Sequence, residues 1–278
     1  MNFGDVVTFQ NVDTQKSLIV NMFNKLYNPS LREKKEVVTT NDGTVTMYSS
    51  EFDECYHSTR DGALNESLNK HIIPAFNLSK DKKEIAILDI CYGLGFNSLS
   101  AIYYYKMHSP STKLHIISPE IDKSLVESLK DFNYPKEFAE FKDIIDSISN
   151  NFFYENENLR IEVLIGDARE AIKNIKTEID IVYQDAFSPK KNPALWSVEY
   201  FADIKKLLKD DAIITTYSIA TPVRLSMHKN GFNIYNYKTQ NTRSSTIASL
   251  STLPLEQVDM ELKLQRNPNA KAIYDKEL

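Results

Sequence analysis

The chain has 278 residues, of which 42% are hydrophobic and 26% charged, and its formal net charge is −5. These values suit a soluble globular protein with a substantial core, one large domain or one domain with an appendage. They carry no global signature of nucleic-acid binding, although whole-chain charge does not exclude a local basic face.

No stretch approaches the roughly 20 apolar residues of a membrane span, and the start, MNFGDVVTFQ, lacks the basic and apolar regions of a signal peptide. Two cysteines, Cys55 and Cys91, argue against a disulfide framework and are compatible with a cytoplasmic location. No Cys/His cluster stands at metal-ligand spacing, so no metal is expected.

The first element is a hairpin. VVTTNDGTVTMYSS (37–50) places β-branched runs on either side of Asn41-Asp42-Gly43, where glycine tolerates the positive φ such turns demand. DGALNESLNKHIIPAF (61–76) follows, with Leu64, Leu68, Ile72 and Phe76 at helical spacing. From Glu84 the pattern changes. EIAILDI predicts a buried strand, then a glycine-containing turn and the helix FNSLSAIYYYKM. KLHIISPE (113–120) predicts a second strand, followed by helical stretches near 123–131 and over 138–150. Three further strands are predicted at 159–167, 179–185 and 211–219, with helices at 168–176, 198–209 and 222–230. FNIYNYK and STIASLS read as a closing strand pair.

Strands alternating with helices predict a doubly wound, mostly parallel α/β sheet, and the closing pair predicts an antiparallel edge. The predicted organisation is an N-terminal hairpin and helix extension over 1–83, a core domain over 84–254, and a helical or loose tail over 255–278.

In such sheets ligands bind beyond the carboxyl ends of the strands. Four successive predicted strands end in an acid: Asp89, Glu120, Asp167 and Asp185. The turn DICYGLGFNS carries Gly93 and Gly95. It has Ser98 where a dinucleotide-binding G-x-G-x-x-G pattern needs glycine, and no Gly-Lys-Ser/Thr of a P-loop. D-x-x-x-G-x-G suits S-adenosyl-L-methionine, which bears an ammonium and a sulfonium but no phosphate. On this reading an acid of the first loop faces the ammonium, Glu120 accepts from the ribose hydroxyls, and Asp167 with the Ala168 amide receives the adenine edge. The bland alternative stays open: Gly95 permits close packing, and each acid merely caps the next helix.

The loop DAFSPKKNPALW (185–196) combines an acid, prolines, lysines and the only tryptophan. Its prolines predict a shaped loop. With TTNDGTVTMYSSEFDECYHSTRDGALNES, DICYGLGFN, LHIISPE, GDARE and YSIATPVRLSMHKNGF, it resembles the methyltransferase half of the MnmC family, bacterial enzymes of wobble-uridine modification. The likeness runs from about residue 37 to 232. It implies a Rossmann-like class I fold with an N-terminal hairpin extension, S-adenosyl-L-methionine as cofactor, and tRNA carrying an aminomethyl-uridine as partner. It further implies that Ser58, Glu66, Asp89, Cys91, Gly93, Gly95, Asn97, Glu120, Asp167 and Ala168 line the cofactor site, with Asp185 facing the acceptor.

Three departures stand out. Cys91 takes the place of the family's first loop glycine, Ala186 replaces the glycine after the aspartate, and the Gly-x-x-Lys-Arg-Glu-Met element reads NTRSSTIAS, where only Arg243 echoes the positive charge. No second glycine fingerprint is present for FAD, so no flavin half is expected.

Methyl transfer from a sulfonium is an in-line displacement by a neutral amine, for which Asp185 is placed as base or orienting group. Phe187 and Trp196 are candidates to stack on the base, Lys190, Lys191 and Arg243 to meet tRNA; for Trp196 a place in the core is the equal alternative. A methyltransferase for a small amine and a non-catalytic nucleoside-binding protein are the competing readings. The tRNA species and the oligomeric state are not legible.

Overall fold

The computed structural model describes residues 35–239 and 242–278; the start of the chain, read above as leaderless, and the first 34 residues of the 1–83 extension lie outside the described residues.

Strands β1 (Glu36–Thr39), β2 (Val45–Ser49) and β3 (Glu54–Cys55) form a small antiparallel sheet in that order. The expected hairpin is present, with Gly43 at φ 83° in its turn. Asp42 ties this turn to the following helix, accepting from the Thr40 and Thr44 hydroxyls at 2.7 and 2.6 Å and from the Asn65 amide at 3.0 Å. The helix itself runs as α1 (Ala63–Ser67), a π-helical turn (Leu68–Ile72) and α2 (Ile73–Ser79). Pro74 accounts for the interruption: it has no N–H for the Lys70 carbonyl, and its ring crowds that carbonyl unless the turn widens.

The main sheet contains β4 (Glu84–Ile90), β5 (Lys113–Glu120), β6 (Phe153–Glu155), β7 (Leu159–Ile165), β8 (Ile179–Gln184), β9 (Leu208–Thr216), β10 (Asn233–Tyr237) and β11 (Ser245–Ser249). Their order is β10-β11-β9-β8-β4-β5-β7-β6. The five central strands are parallel, and β10 and β11 form the expected antiparallel edge. A second antiparallel edge, β6 against β7, was not predicted; at three residues it is too short to show a period.

Helices α3 (Phe96–His108), α4 (Lys123–Ser128), α5 (Lys142–Asn151), α6 (Ala168–Asn174), α7 (Val198–Lys205) and α8 (Thr221–Lys229) connect the strands. The predicted helix 138–150 begins as a 3-10 segment, Lys136–Phe141, and becomes α5 only at Lys142. The predicted helix 198–209 ends at Lys205, because β9 starts at Leu208 rather than Asp211. Lys209 pairs with the buried Asp180 at 2.8 Å, which draws this segment into the sheet.

Side chains alternate across the sheet. Ile87, Ile181 and Ile213 join the α3 side of the core, while Leu88, Val182 and Ile214 join the side covered by α6, α7 and α8. By the same parity Asp89, Tyr183, Asp185 and Thr215 belong to the α3 side. The segment 255–278 is anchored: Val258 donates to the Ile234 carbonyl at 2.7 Å, α9 (Met260–Arg266) buries Met260, and Asp275 takes two bonds from Arg169 at 2.8 and 2.6 Å. Among the described residues no helix is long and apolar enough to cross a membrane.

Candidate active site

Strand order reverses beside β4, whose neighbours are β5 on one side and β8 on the other. Asp89 lies at the end of β4, and Asp185 directly follows β8. Asp89 is fully buried and accepts from Ser98 Oγ at 2.7 Å and Asn97 Nδ2 at 3.4 Å. Burial pushes its carboxyl up to about 7, with the nearby Asp185 adding to the rise against those two bonds. Ser98, the residue that breaks the dinucleotide pattern, thus has a use of its own.

Asn97 Nδ2 also donates to Asp185 Oδ2 at 2.8 Å, so one amide links both acids. On Asp185, burial acts to raise the carboxyl, but the His71 imidazole, His57 and the Asn97 amide together hold it below its ordinary value. Asn97 Oδ1 is buried and has no hydrogen-bond partner.

In the turn after β4, Cys91, Gly93 and Gly95 all have positive φ, at 67°, 53° and 74°. A Cβ on Gly95 would meet Tyr92 Oη at 2.9 Å, and one on Gly93 would meet the Tyr56 ring at 3.1 Å. These two positions need glycine for backbone and packing, whatever ligand they serve. Cys91 holds the same left-handed conformation with a side chain, at a cost of about 1–2 kcal/mol. Glu120 is tied to this turn: Gly93 N donates to Oε2 and Asp122 N to Oε1, both at 2.8 Å. Burial raises its carboxyl, and these amides oppose the rise.

Asp167 is exposed and caps α6, accepting the Arg169 and Glu170 amides at 2.8 and 3.3 Å. Both bonds fall on Oδ1, so capping and a ligand contact through Oδ2 are compatible. Ala168 is buried behind it.

Ser58, Glu66 and Arg243 form a second cluster. Glu66 accepts from the Ser58 amide at 2.7 Å and from Lys70 at 2.6 Å; Lys70, only 2% exposed, also pairs with Asp61 at 2.7 Å. Arg243 reaches Asp61 at 3.5 Å and Ser58 Oγ at 3.3 Å. Arg243, one of three cations expected to meet tRNA, is therefore already engaged with the extension.

The loop after β8 is held on every side. Tyr217 Oη donates to the Ala186 carbonyl at 2.9 Å, Trp196 Nε1 to Phe187 O at 2.8 Å, and Gln184 Nε2 to Leu195 O at 2.8 Å. From the small sheet, Glu54 accepts from the Ser188 amide at 2.9 Å and from its hydroxyl, Asp53 pairs with Lys191 at 2.9 Å, and Phe52 stacks on Phe187 at 4.4 Å. Of the two alternatives for Trp196 the core place is the one observed: it is 0% exposed, packed in the core with its indole bracing Phe187, and presents no face to a base. Lys190 is exposed, while Lys191 is partly neutralised by Asp53.

Sequence reasoning missed His71 and passed over His57. His71 is 0% exposed, shares a 2.9 Å bond with Thr215 Oγ1 through Nδ1, and sets Nε2 3.5 Å from Asp185 Oδ1. His57 is buried with Nδ1 unpartnered; burial lowers its pKa, and Asp185 and Glu66 counter part of that. Pro74 three residues after His71 was the available signal, since a proline-widened turn re-aims the side chains before it. Among the described residues no group of three or more His, Cys, Asp or Glu could hold a metal.

A mostly parallel sheet with acids at its switch point and a glycine turn, without a phosphate-binding pattern, is the arrangement of a class I S-adenosyl-L-methionine-dependent methyltransferase, and the similar proteins agree. A family model described as S-adenosyl-L-methionine-dependent methyltransferase matches residues 136–251. The crystal structure of MnmC2 from Aquifex aeolicus matches with a TM-score of 0.78 and 31% identity, covering 98% of this chain and 88% of that one. The tRNA 5-methylaminomethyl-2-thiouridine biosynthesis bifunctional protein MnmC of Campylobacter fetus is 30% identical over 201 residues, 69% of this chain and 32% of that protein. An uncharacterized protein of Methanocaldococcus jannaschii is 30% identical over 210 residues, 73% of this chain and 56% of its own length. The chain belongs to the MnmC-type family of S-adenosyl-L-methionine-dependent methyltransferases. It matches about a third of the length of the bifunctional relative from Campylobacter fetus.

Proposed function

We propose that this methyltransferase methylates the exocyclic nitrogen of an aminomethyl group on the wobble uridine of tRNA. The observation that carries the reading is Asp185, held by Asn97 at the switch point and followed by a braced loop that resembles the acceptor loop of the MnmC family. The names of the relatives, which place those proteins in tRNA 5-methylaminomethyl-2-thiouridine biosynthesis, support it.

The residues fit the cofactor. Asp89 is a carboxyl that burial pushes up to about 7, and Asn97 Oδ1 is a buried acceptor without a donor. Both suit the ammonium end of S-adenosyl-L-methionine, with Glu120 at the ribose and Asp167 and Ala168 at the adenine. When bound, the sulfonium supplies the electrophilic methyl. On the acceptor side Asp185 accepts a hydrogen bond from the neutral amine and aims its lone pair along the line of displacement. Phe187 borders the base, and Lys190 meets phosphate. We assign the catalytic unit to residues 84–254, with Ser58 and Glu66 contributed by the extension and 255–278 serving as a strap.

One pH dependence follows. Below about 7 Asp89 holds a proton in the free protein, and an ammonium ligand must displace it. Affinity for S-adenosyl-L-methionine is therefore expected to rise about fivefold between pH 6 and 7, the slope approaching tenfold per unit only below pH 6. Calorimetric titration measures it, and Asp89→Asn should flatten the profile; an unchanged slope in that variant removes Asp89 from the ammonium site.

A second reading, a small-amine acceptor, draws on NTRSSTIAS and on the engagement of Arg243 by Asp61. Labelled cofactor with aminomethyl-uridine tRNA, the free modified nucleoside and simple alkylamines separates the two. Transfer confined to tRNA supports the first reading, and transfer to alkylamines alone replaces it with the second.

A further inference from the structure

A carboxylate at the acceptor position poses a difficulty. An alkylamine with a pKa around 10, by analogy with lysine, is mostly protonated near pH 7, and an unbalanced buried carboxylate would bind it in that unreactive form. The surroundings of Asp185 supply an answer. His71 Nδ1 faces Thr215 Oγ1, whose own hydrogen is directed at the Val182 carbonyl at 3.5 Å. That direction makes Nδ1 the donor to Oγ1; the reverse direction would put the single proton of a neutral ring on Nε2. Nε2 is buried, has no hydrogen-bond partner and looks onto Asp185 Oδ1 at 3.5 Å. Without a proton between them, two lone pairs would oppose each other where the imidazole is fully buried and the Asp185 side chain is only 10% exposed.

We propose that His71 is a positioning residue whose charge balances Asp185, so that the pocket admits the acceptor as a neutral amine. The 3.5 Å separation is that of a pair that tightens when the acceptor fills the site. Other charged or titratable groups face the pair: Glu66 with its partner Lys70 from the same helical run, Asp89 from β4, Tyr183 from β8 with its ring 5.7 Å from the imidazole, and His57 from the segment after β3. Lys70 is already committed to Asp61 and Glu66. Burial disfavours a charge on His57, so the balancing cation is assigned to His71, whose Nε2 faces Asp185 Oδ1.

The steps balance. The acceptor ammonium gives its proton to water before it is seated. Its nitrogen lone pair then forms the N–C bond as the S–C bond breaks, and sulfur keeps that electron pair. The secondary ammonium departs, so one proton is released per methyl transferred. A pocket of zero net charge neither retains the reactant as ammonium nor holds the product.

This inference rests on the amine-acceptor reading above, and its test separates the two. Single-turnover transfer to aminomethyl-uridine tRNA is measured from pH 6.5 to 9.5 for wild type and His71→Gln. The variant should lose about 100-fold at pH 7 with a lowered KM, because the uncompensated carboxylate now binds the ammonium. The deficit should shrink at least tenfold by pH 9.5. An equal deficit at every pH, or none at pH 7, overturns the proposal. A ¹⁵N-histidine spectrum of the wild type and of Asp185→Asn needs neither acceptor nor a foldable His71 variant. The wild type should carry protons on both ring nitrogens of His71, of which Asp185→Asn loses the one on Nε2, and a neutral imidazole of either tautomer in the wild type overturns the idea. Failure of the acceptor reading would instead show as a wild type that transfers nothing to the tRNA while this spectrum holds.

Discussion

Asp185→Asn is expected to slow methyl transfer by about 100-fold or more while leaving affinity for S-adenosyl-L-methionine within a few-fold. The reason is one of counting acceptors. A carboxylate offers two oxygens, and Asn97 Nδ2 already occupies Oδ2 at 2.8 Å. An amide has one oxygen, which Asn97 would claim, leaving an NH₂ group that donates to His71 Nε2 or to the lone pair of the incoming amine and accepts nothing from that amine. Cofactor affinity should survive because the cofactor set proposed above centres on Asp89 and Glu120, not Asp185. Pre-steady-state transfer and calorimetric binding on the same preparation check both halves. Unchanged turnover would remove Asp185 from the mechanism, and a collapse of cofactor binding would move it to the donor side.

The second large effect concerns stability. Lys70 is buried with Asp61 and Glu66, whose side chains are only 4% and 8% exposed. Lys70→Met leaves two carboxylates close together with only the Arg243 guanidinium, 3.5 Å from Asp61 and largely exposed, to offset them. Removing one partner of a buried pair costs about 3–5 kcal/mol, which for a domain of this size lowers Tm by about 10 °C. The triple variant Lys70→Met, Asp61→Asn, Glu66→Gln should recover much of that loss, since neutral hydrogen-bonding groups tolerate burial better than unpaired charge. Thermal unfolding of the three proteins decides it. A Lys70→Met protein as stable as wild type would show that the cluster contributes nothing to the fold.

Periodicity and turn chemistry made most of the architecture legible. EIAILDI, KLHIISPE and IDIVYQD are runs buried on both faces, and Asn41-Asp42-Gly43 marks a turn that only a few residue types can make. Where the outcome differed, tertiary context had overridden local pattern. Lys209 is drawn toward the buried Asp180, starting β9 earlier than its helix-like flank suggested. Pro74 opens a π turn inside a helix whose apolar spacing reads as regular.

The site divides in the same way. Strand-end acids could be found because the fold dictates where strand ends go. Their partners could not, since Asn97 bridging Asp89 and Asp185, or Lys70 between Asp61 and Glu66, depends on how separate elements meet. His71 was missed for that reason: Pro74 marks its turn as irregular, but 144 residues of sequence separate it from Thr215. Trp196 shows the converse limit. A tryptophan on a polar loop reads as a ligand wall, yet its indole braces the Phe187 carbonyl from inside the core.

The most direct measurement is a transfer reaction with tRNA bearing the aminomethyl-uridine, followed by digestion to nucleosides and mass spectrometry. The expected result is one added methyl on the exocyclic amine of the wobble nucleoside, absent with Asp185→Asn. A methyl on another atom or another nucleoside, or none in that tRNA while simple amines are methylated, would contradict the assignment.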